Sequence, residues 1–106
     1  MRNILIAAVL TLSACGNVGS IIADYGPVRP TIQEHDGVAW KFYDKPEESR
    51  LMVAPRAGEI RNFPMSKWDD SALFRDAANS FLAPRGCKAN TVELLARPQW
   101  EVTYTC

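Results

Sequence analysis

The sequence predicts a small α+β domain, in which one helix packs on a small antiparallel sheet built from two hairpins and stapled by one disulfide. Three observations support this fold class. Apolar and polar residues alternate over short segments, one longer segment repeats apolar residues every three to four positions, and two cysteines lie near the C-terminus. Strands that precede and follow a single helix are typical of α+β domains.

The first hairpin is predicted from residues 38–44 and 50–54. Alternate residues of the first strand, beginning with Val38, are apolar and point to one side of the sheet. A proline in residues 45–48 presets the backbone dihedral of the turn. The second strand is more uniformly apolar, and residues 60–63 are expected to form a short third strand.

The helix is predicted to begin at Ser66, which can cap it, and to end at Pro84 and Gly86. Asp69 and Asp70 fall in its first turn, where the helix dipole favours negative charge. The face that it buries should carry the apolar residues at helical spacing, which are Leu73, Phe74, Ala77, Ala78, Phe81 and Leu82.

The second hairpin is predicted from residues 91–96 and 100–106, joined by a turn at 97–99. The last strand alternates regularly, with Trp100 and Cys106 among the residues that point inward.

The N-terminus is typical of a secretory signal. Residues 1–3 are polar with one positive charge, and residues 4–12 form an apolar run that is shorter than the roughly 20 residues needed to span a bilayer. A buried core helix is the alternative, but residues 16–20 follow without helical periodicity.

The end of this signal resembles the lipobox of bacterial lipoproteins, in which a leucine and two small residues precede a cysteine. The matching residues are Leu12, Ser13, Ala14 and Cys15. The resemblance implies that a diacylglycerol is attached to the Cys15 sulfur and that residues 1–14 are removed as a lipoprotein signal peptide. The motif covers only the first fifteen residues or so, and the sequence of the mature domain is not identified with any family. The alternative is an ordinary secretory signal with an incidental cysteine.

The resemblance also implies a location in the cell envelope. An aspartate after the cysteine usually marks retention in the inner membrane, whereas Gly16 stands here. The periplasmic face of the outer membrane is therefore favoured if the host is Gram-negative.

Residues 15–36 are predicted to be the lipidated N-terminus and a flexible tether, and residues 37–106 the extracytoplasmic domain. Glycine and proline are frequent in the tether and no period lasts there. Ile21, Ile22 and Tyr25 are the exceptions, and docking of these three on the domain is left open.

The composition argues against a nucleic-acid partner. Removal of residues 1–14 leaves 92 residues, enough for one small domain with a modest core. This mature chain has 11 basic and 12 acidic residues, a formal charge of −1. It therefore has neither the excess of basic residues that favours nucleic acids nor a polybasic membrane patch.

Assignment of Cys15 to lipid leaves Cys87 and Cys106 as an even pair in an oxidising compartment, which predicts a buried disulfide. The bridge would tie the helix exit to the last strand. It closes a loop of about 20 residues and should stabilise the fold by roughly 3 kcal/mol. A redox or metal-binding pair is the alternative, but the spacing is not that of a CxxC motif.

Patterns that point to catalysis or to a metal are weak. His35, the only histidine, lies between Glu34 and Asp36, a run that favours a solvated turn entering a strand. A lone histidine without a nucleophile motif is poor support for covalent catalysis, and the helix start accounts for Asp69 and Asp70. No cofactor and no metal site are expected, and a cell-wall hydrolase is a minor alternative.

The candidate binding patch consists of Tyr43, Trp68, Arg50 and Arg97. Tyr43 falls on the polar side of its strand and Trp68 lies at the helix start. Exposed aromatic residues beside arginines are common in binding patches. The alternative is that these side chains merely cover the sheet or the end of the helix.

We therefore expect a non-enzymatic envelope lipoprotein that contacts the membrane through lipid on Cys15 and binds another envelope protein or assists an assembly. The alternative is an inhibitor or exclusion lipoprotein of the plasmid or phage type, which blocks a lytic enzyme or a surface receptor. No motif in the sequence favours that alternative specifically.

Overall fold

The computed structural model describes residues 17–59 and 63–106, which form a five-stranded sheet with a helix on each face. Its helices and strands are α1 (Asn17–Tyr25), β1 (Thr31–His35), β2 (Val38–Lys45), β3 (Arg50–Pro55), α2 (Ser71–Leu82), β4 (Lys88–Ala96) and β5 (Gln99–Thr105). Short 3-10 turns lie at Pro46–Glu48, Met65–Lys67 and Ala83–Arg85. The predicted signal peptide, residues 1–14, and the lipid site at Cys15 lie outside the described residues.

The predicted α+β class is confirmed, and the sheet is larger than two hairpins. Neighbouring strands are all antiparallel, in the order β1-β2-β3-β5-β4. The two predicted hairpins are β2–β3 and β4–β5, and β3 joins them by pairing with β5. The β4–β5 turn contains a cis peptide bond between Arg97 and Pro98.

The additional strand is β1, which pairs with β2 across a turn at Asp36 and Gly37. Both turn residues have positive φ, 53° and 77°. That geometry suits a tight hairpin, and an Asp-Gly pair favours it. Of the polar run from Glu34 to Asp36, only Asp36 lies in this turn, whereas Glu34 and His35 belong to β1, which corrects the expectation of a turn over the whole run. The strand was missed because β1 lies at the sheet edge and is mostly exposed, so its sequence lacks a clear apolar alternation.

Over residues 17–36 the structure differs from the expected tether, because α1 and β1 form there. α1 lies on the face of the sheet opposite α2, and its buried Ile21 and Tyr25 contact Met52. Ile21 and Tyr25 therefore do pack on the domain, which the sequence alone did not decide. The third residue of that group, Ile22, is 65% exposed. A helix of nine residues is marginal by itself. Its contacts with the sheet stabilise it, which explains why local sequence did not reveal it.

α2 covers the larger core, and its predicted buried face is confirmed. Phe74, Ala77, Ala78 and Leu82 are buried, while Leu73 and Phe81 are partly buried against the same cluster. On the sheet side this cluster contains Val38, Trp40, Phe42, Leu51, Val53, Ala89, Trp100, Val102 and Tyr104. These residues come from β2, β3, β4 and β5, so one helix ties four strands together.

The start of α2 corrects the predicted cap. The helix begins after Asp70, whose carboxylate accepts a hydrogen bond from the Ala72 amide at 3.1 Å. Ser66 lies instead in the 3-10 turn before the helix. An aspartate satisfies the free amides of the first turn as well as a serine does, so either residue fits the sequence pattern. The helix ends as predicted before Pro84 and Gly86, and Gly86 has a φ of 73°.

The segment before α2 closes one end of the main core. The third strand expected at residues 60–63 falls mostly on residues 60–62, which lie outside the described residues. Phe63 is buried and meets the rings of Trp40 and Phe74 edge to face, with centroid separations of 5.1 and 5.5 Å. Such edge contacts are a favourable aromatic geometry.

The disulfide between Cys87 and Cys106 is confirmed, with Cα atoms 3.9 Å apart. It joins the residue before β4 to the residue after β5, next to the sheet pair Lys88 and Thr105. Cys87 is buried, whereas Cys106 is exposed, which corrects the expectation that both would be buried. The strand ends one residue earlier than expected, so its inward alternation does not extend to Cys106.

Candidate functional site

The four residues of the predicted binding patch lie in two separate groups. Tyr43 and Arg50 point to the face of the sheet that α1 covers, because strand alternation places their neighbours in the α2 core. Trp68 packs, partly buried, against that core, and Arg97 lies in the β4–β5 turn. The structure therefore does not bring the four side chains together into one surface.

Arg50 is the centre of a charge network that attaches α1 to the sheet. Its guanidinium donates to Asp24 at 2.5 and 2.7 Å, to Glu48 at 2.6 and 2.9 Å, and to Glu101 at 2.9 Å. The Lys45 ammonium lies 2.7 Å from Asp24 and 3.2 Å from Glu48. Two cations and three carboxylates from five segments thus pair with one another, so this network stabilises the fold and leaves no unpaired cation for a ligand among these residues.

Tyr25 links this network to the apolar contacts of α1. Its hydroxyl donates to Glu101 at 2.6 Å, and the Arg50 guanidinium carbon lies 5.3 Å from its ring centroid. Burial and the Glu101 carboxylate raise the pKa of Tyr25, while hydrogen bonds from Arg50 and Lys45 hold the pKa of Asp24 below its ordinary range. The hydrogen bond to Asp24 raises the pKa of Arg50. These three shifts keep each group in its usual charge state at neutral pH, so none of the three is poised for acid–base catalysis.

Trp68 and Arg97 connect the segment before α2 to the β4–β5 hairpin. The Trp68 indole donates to the Phe63 carbonyl at 3.4 Å, and the Trp68 carbonyl accepts from the Trp100 indole at 2.9 Å. Arg97 lies 2.8 Å from the Asp69 carboxylate in an exposed pair. An exposed pair of this kind contributes little to stability.

A cleft of about 180 Å³ opens between the β1–β2 turn and α2. Its floor is apolar and its rim is polar. The floor consists of Val38, Trp40, Phe63 and Leu73, and the rim of His35, Asp36, Lys67 and Asp76. Pockets for small molecules usually hold about 300–1,000 Å³, so this cleft suits one large side chain better than a cofactor.

His35 lies at the rim of this cleft, at the end of β1. Its Nε2 is 3.5 Å from the Asp36 carboxylate, and its backbone carbonyl accepts from the Trp40 indole at 3.3 Å. Sequence reasoning assigned His35 to a turn but missed the cleft. Lys67 and Asp76 come from distant positions in the chain, and their approach to His35 depends on how α2 crosses the sheet.

Across residues 17–59 and 63–106, no three His, Cys, Asp or Glu side chains come together as metal ligands. Neither α1 nor α2 is long and apolar enough to cross a membrane. Comparison with known proteins finds no matching protein family, no similar curated protein and no similar solved structure.

Proposed function

We propose that this chain is a lipid-anchored, non-enzymatic protein of the bacterial envelope that binds another envelope protein. The observation that carries the proposal is the disulfide between Cys87 and Cys106. Disulfides persist in oxidising compartments and are rare in the cytosol. The bridge therefore supports the export that the lipobox at Cys15 implies.

The cleft between the β1–β2 turn and α2 is the proposed binding site. An apolar floor with a polar rim is the usual anatomy of a pocket that receives an anchor side chain from a partner protein. The rim carries two carboxylates, Asp36 and Asp76, against one ammonium, Lys67. We therefore propose that the partner inserts an apolar side chain that is flanked by a basic residue.

Photocrosslinking in cells tests this proposal. A photoreactive amino acid at Lys67, on the cleft rim, should capture one discrete envelope protein, because that position faces the proposed partner. The same amino acid at Lys88, which is also exposed but lies at the start of β4, is the matched control. Adding Asp76→Lys should reduce capture from position 67, since it reverses a rim charge next to the partner's basic residue. Equal capture from positions 67 and 88, or none from 67, would count against the cleft.

The anchor is tested in the same strains by metabolic labelling with palmitate. Cys15→Ser should lose the label and retain the signal peptide, whereas Cys87→Ser should keep the label. Retention of palmitate in Cys15→Ser would contradict the assignment of the lipid to Cys15.

A further inference from the structure

None of the exposed positions of α1 and the turn after it, from residue 19 onward, carries a charged side chain. From residue 19 to residue 27, the exposed residues are Gly19, Ser20, Ile22, Ala23, Gly26 and Pro27. A surface helix in water usually has a charged or polar outer side, as α2 has with its exposed Asp76. The one acid of α1, Asp24, is neutralised by Lys45 and Arg50.

Ile22 adds an apolar side chain to this uncharged surface. At 65% it is the most exposed large apolar residue in the described part of the chain. It borders a groove of about 160 Å³ that runs from α1 onto the sheet. The other residues that line the groove are Ile21, Tyr25, Gly26, Tyr43, Met52 and Gln99. The groove therefore connects Ile22 on the helix with Tyr43 of β2 and Met52 of β3.

The chain leaves little room between this surface and the proposed lipid. Cys15 precedes the first residue of α1 by two positions, and two residues of any conformation span at most about 7 Å. Two polar contacts hold α1 on the sheet. The Tyr25 hydroxyl donates a hydrogen bond to Glu101 at 2.6 Å, and the Asp24 carboxylate pairs with the Lys45 ammonium at 2.7 Å. A lipid on Cys15 would therefore bring the α1 surface, with the sheet behind it, to the bilayer.

We propose that α1 lies on the surface of the lipid bilayer as a rigid part of the anchor, with Ile22 inserted among the acyl chains near the headgroups. This inference rests on the proposed lipidation of Cys15. Exposed Arg29, just beyond the uncharged stretch, is close enough along the chain to meet lipid phosphates. α2 and the cleft lie on the opposite face of the sheet and point away from the membrane, where a partner protein can reach them.

Quenching by brominated lipids tests this orientation. The full lipidated protein is reconstituted in vesicles of phosphatidylethanolamine and phosphatidylglycerol, with and without bromine on the acyl chains, which quenches tryptophan on contact. Ile22→Trp should lose fluorescence about twofold more than Met65→Trp, because only position 22 should reach the acyl chains. Met65 is the matched control, since it is 61% exposed but lies in the turn before α2, and both variants keep the three native tryptophans.

The outcomes separate this inference from the proposal that it rests on. Mass spectrometry of the purified protein reports the lipid on Cys15, and its absence would overturn both. A lipidated, vesicle-bound protein in which positions 22 and 65 are quenched equally would overturn only the membrane orientation of α1. If Ile22→Trp fails to fold, Ala23→Trp takes its place, since residue 23 is also exposed on α1, and the same comparison with Met65→Trp decides.

Discussion

Arg50 shows how the role of a single residue depends on its neighbours. In the sequence it is one of several arginines near aromatic residues, and a binding role fits that pattern. In the structure it donates to three carboxylates from different segments, Asp24, Glu48 and Glu101. The planar guanidinium can serve several acceptors at once, which a lysine ammonium does less well.

Replacing Arg50 should destabilise the fold much more than replacing Arg97. We expect Arg50→Met to lower the free energy of unfolding by about 1–3 kcal/mol, because partly buried Glu101 loses its cation and Asp24 keeps only Lys45. Arg97→Met should change it by less than about 0.5 kcal/mol, because its pair with Asp69 is solvent-exposed. Urea denaturation of the two variants measures both values, and equal losses would contradict the structural role of the network.

At the scale of elements, α1 and α2 differ in what forms them. α2 has twelve residues, a capping aspartate and a regular apolar face, all of which are local features of the sequence. α1 has nine residues, two of them glycine or serine, and no acidic residue in its first turn. Its stability comes from two apolar residues, Ile21 and Tyr25, and from the charge network beside them.

The attachment of α1 should therefore weaken in acid. The hydrogen bonds from Arg50 and Lys45 lower the pKa of Asp24 in the folded chain. In an unfolded chain the pKa of an aspartate is about 3.9. A carboxylate whose pKa is lower in the folded chain than in the unfolded chain stabilises the fold fully at any pH above its unfolded pKa. That stabilisation is lost as the pH falls below about 4 towards the pKa in the folded chain. The free energy of unfolding should thus fall more between about pH 7 and pH 2.5 in the wild type than in Asp24→Asn.

Chemical denaturation at several pH values provides the measurement. Asp36→Asn removes a carboxylate from the β1–β2 turn, far from α1, and is the control for the loss of one acidic group. Parallel curves for the wild type and Asp24→Asn would show that Asp24 does not hold α1 through its charge.

At the scale of the whole molecule, a sheet covered by one helix was expected, and a sheet covered on both faces was found. This difference changes the account of function. A tether would leave the domain free to rotate above the membrane, whereas α1 is packed on one face of the sheet, so a lipid on Cys15 would hold that face near the bilayer. The cleft then lies on the other face.

The disulfide acts on the whole molecule because it constrains the unfolded chain. The double variant Cys87→Ser, Cys106→Ser should lower the free energy of unfolding by roughly 3 kcal/mol, the value for a loop of about 20 residues. The fold should persist, since β4 and β5 still pair along their length. Urea denaturation measures the loss, and dithiothreitol-reduced wild type should match the variant. A loss below about 1 kcal/mol would mean that the hairpin already constrains this part of the unfolded chain.

The sequence by itself determined the α+β class, the two hairpins, the buried face of α2 and the disulfide. Each of these depends on a local pattern: alternation in β2 and β5, apolar spacing from Leu73 to Leu82, and an even pair of cysteines after Cys15 is set aside. The lipobox is equally local, although it lies outside the described residues and remains a prediction.

Only the tertiary structure decided the position of α1, the pairing of β1, the role of Arg50 and the existence of the cleft. α1 is too short to form without the sheet, and β1 is an exposed edge strand without a clear apolar period. The charge network and the cleft each join residues from several distant segments. The packing of the helices on the sheet brings such groups together, and patterns among neighbouring residues do not predict that packing.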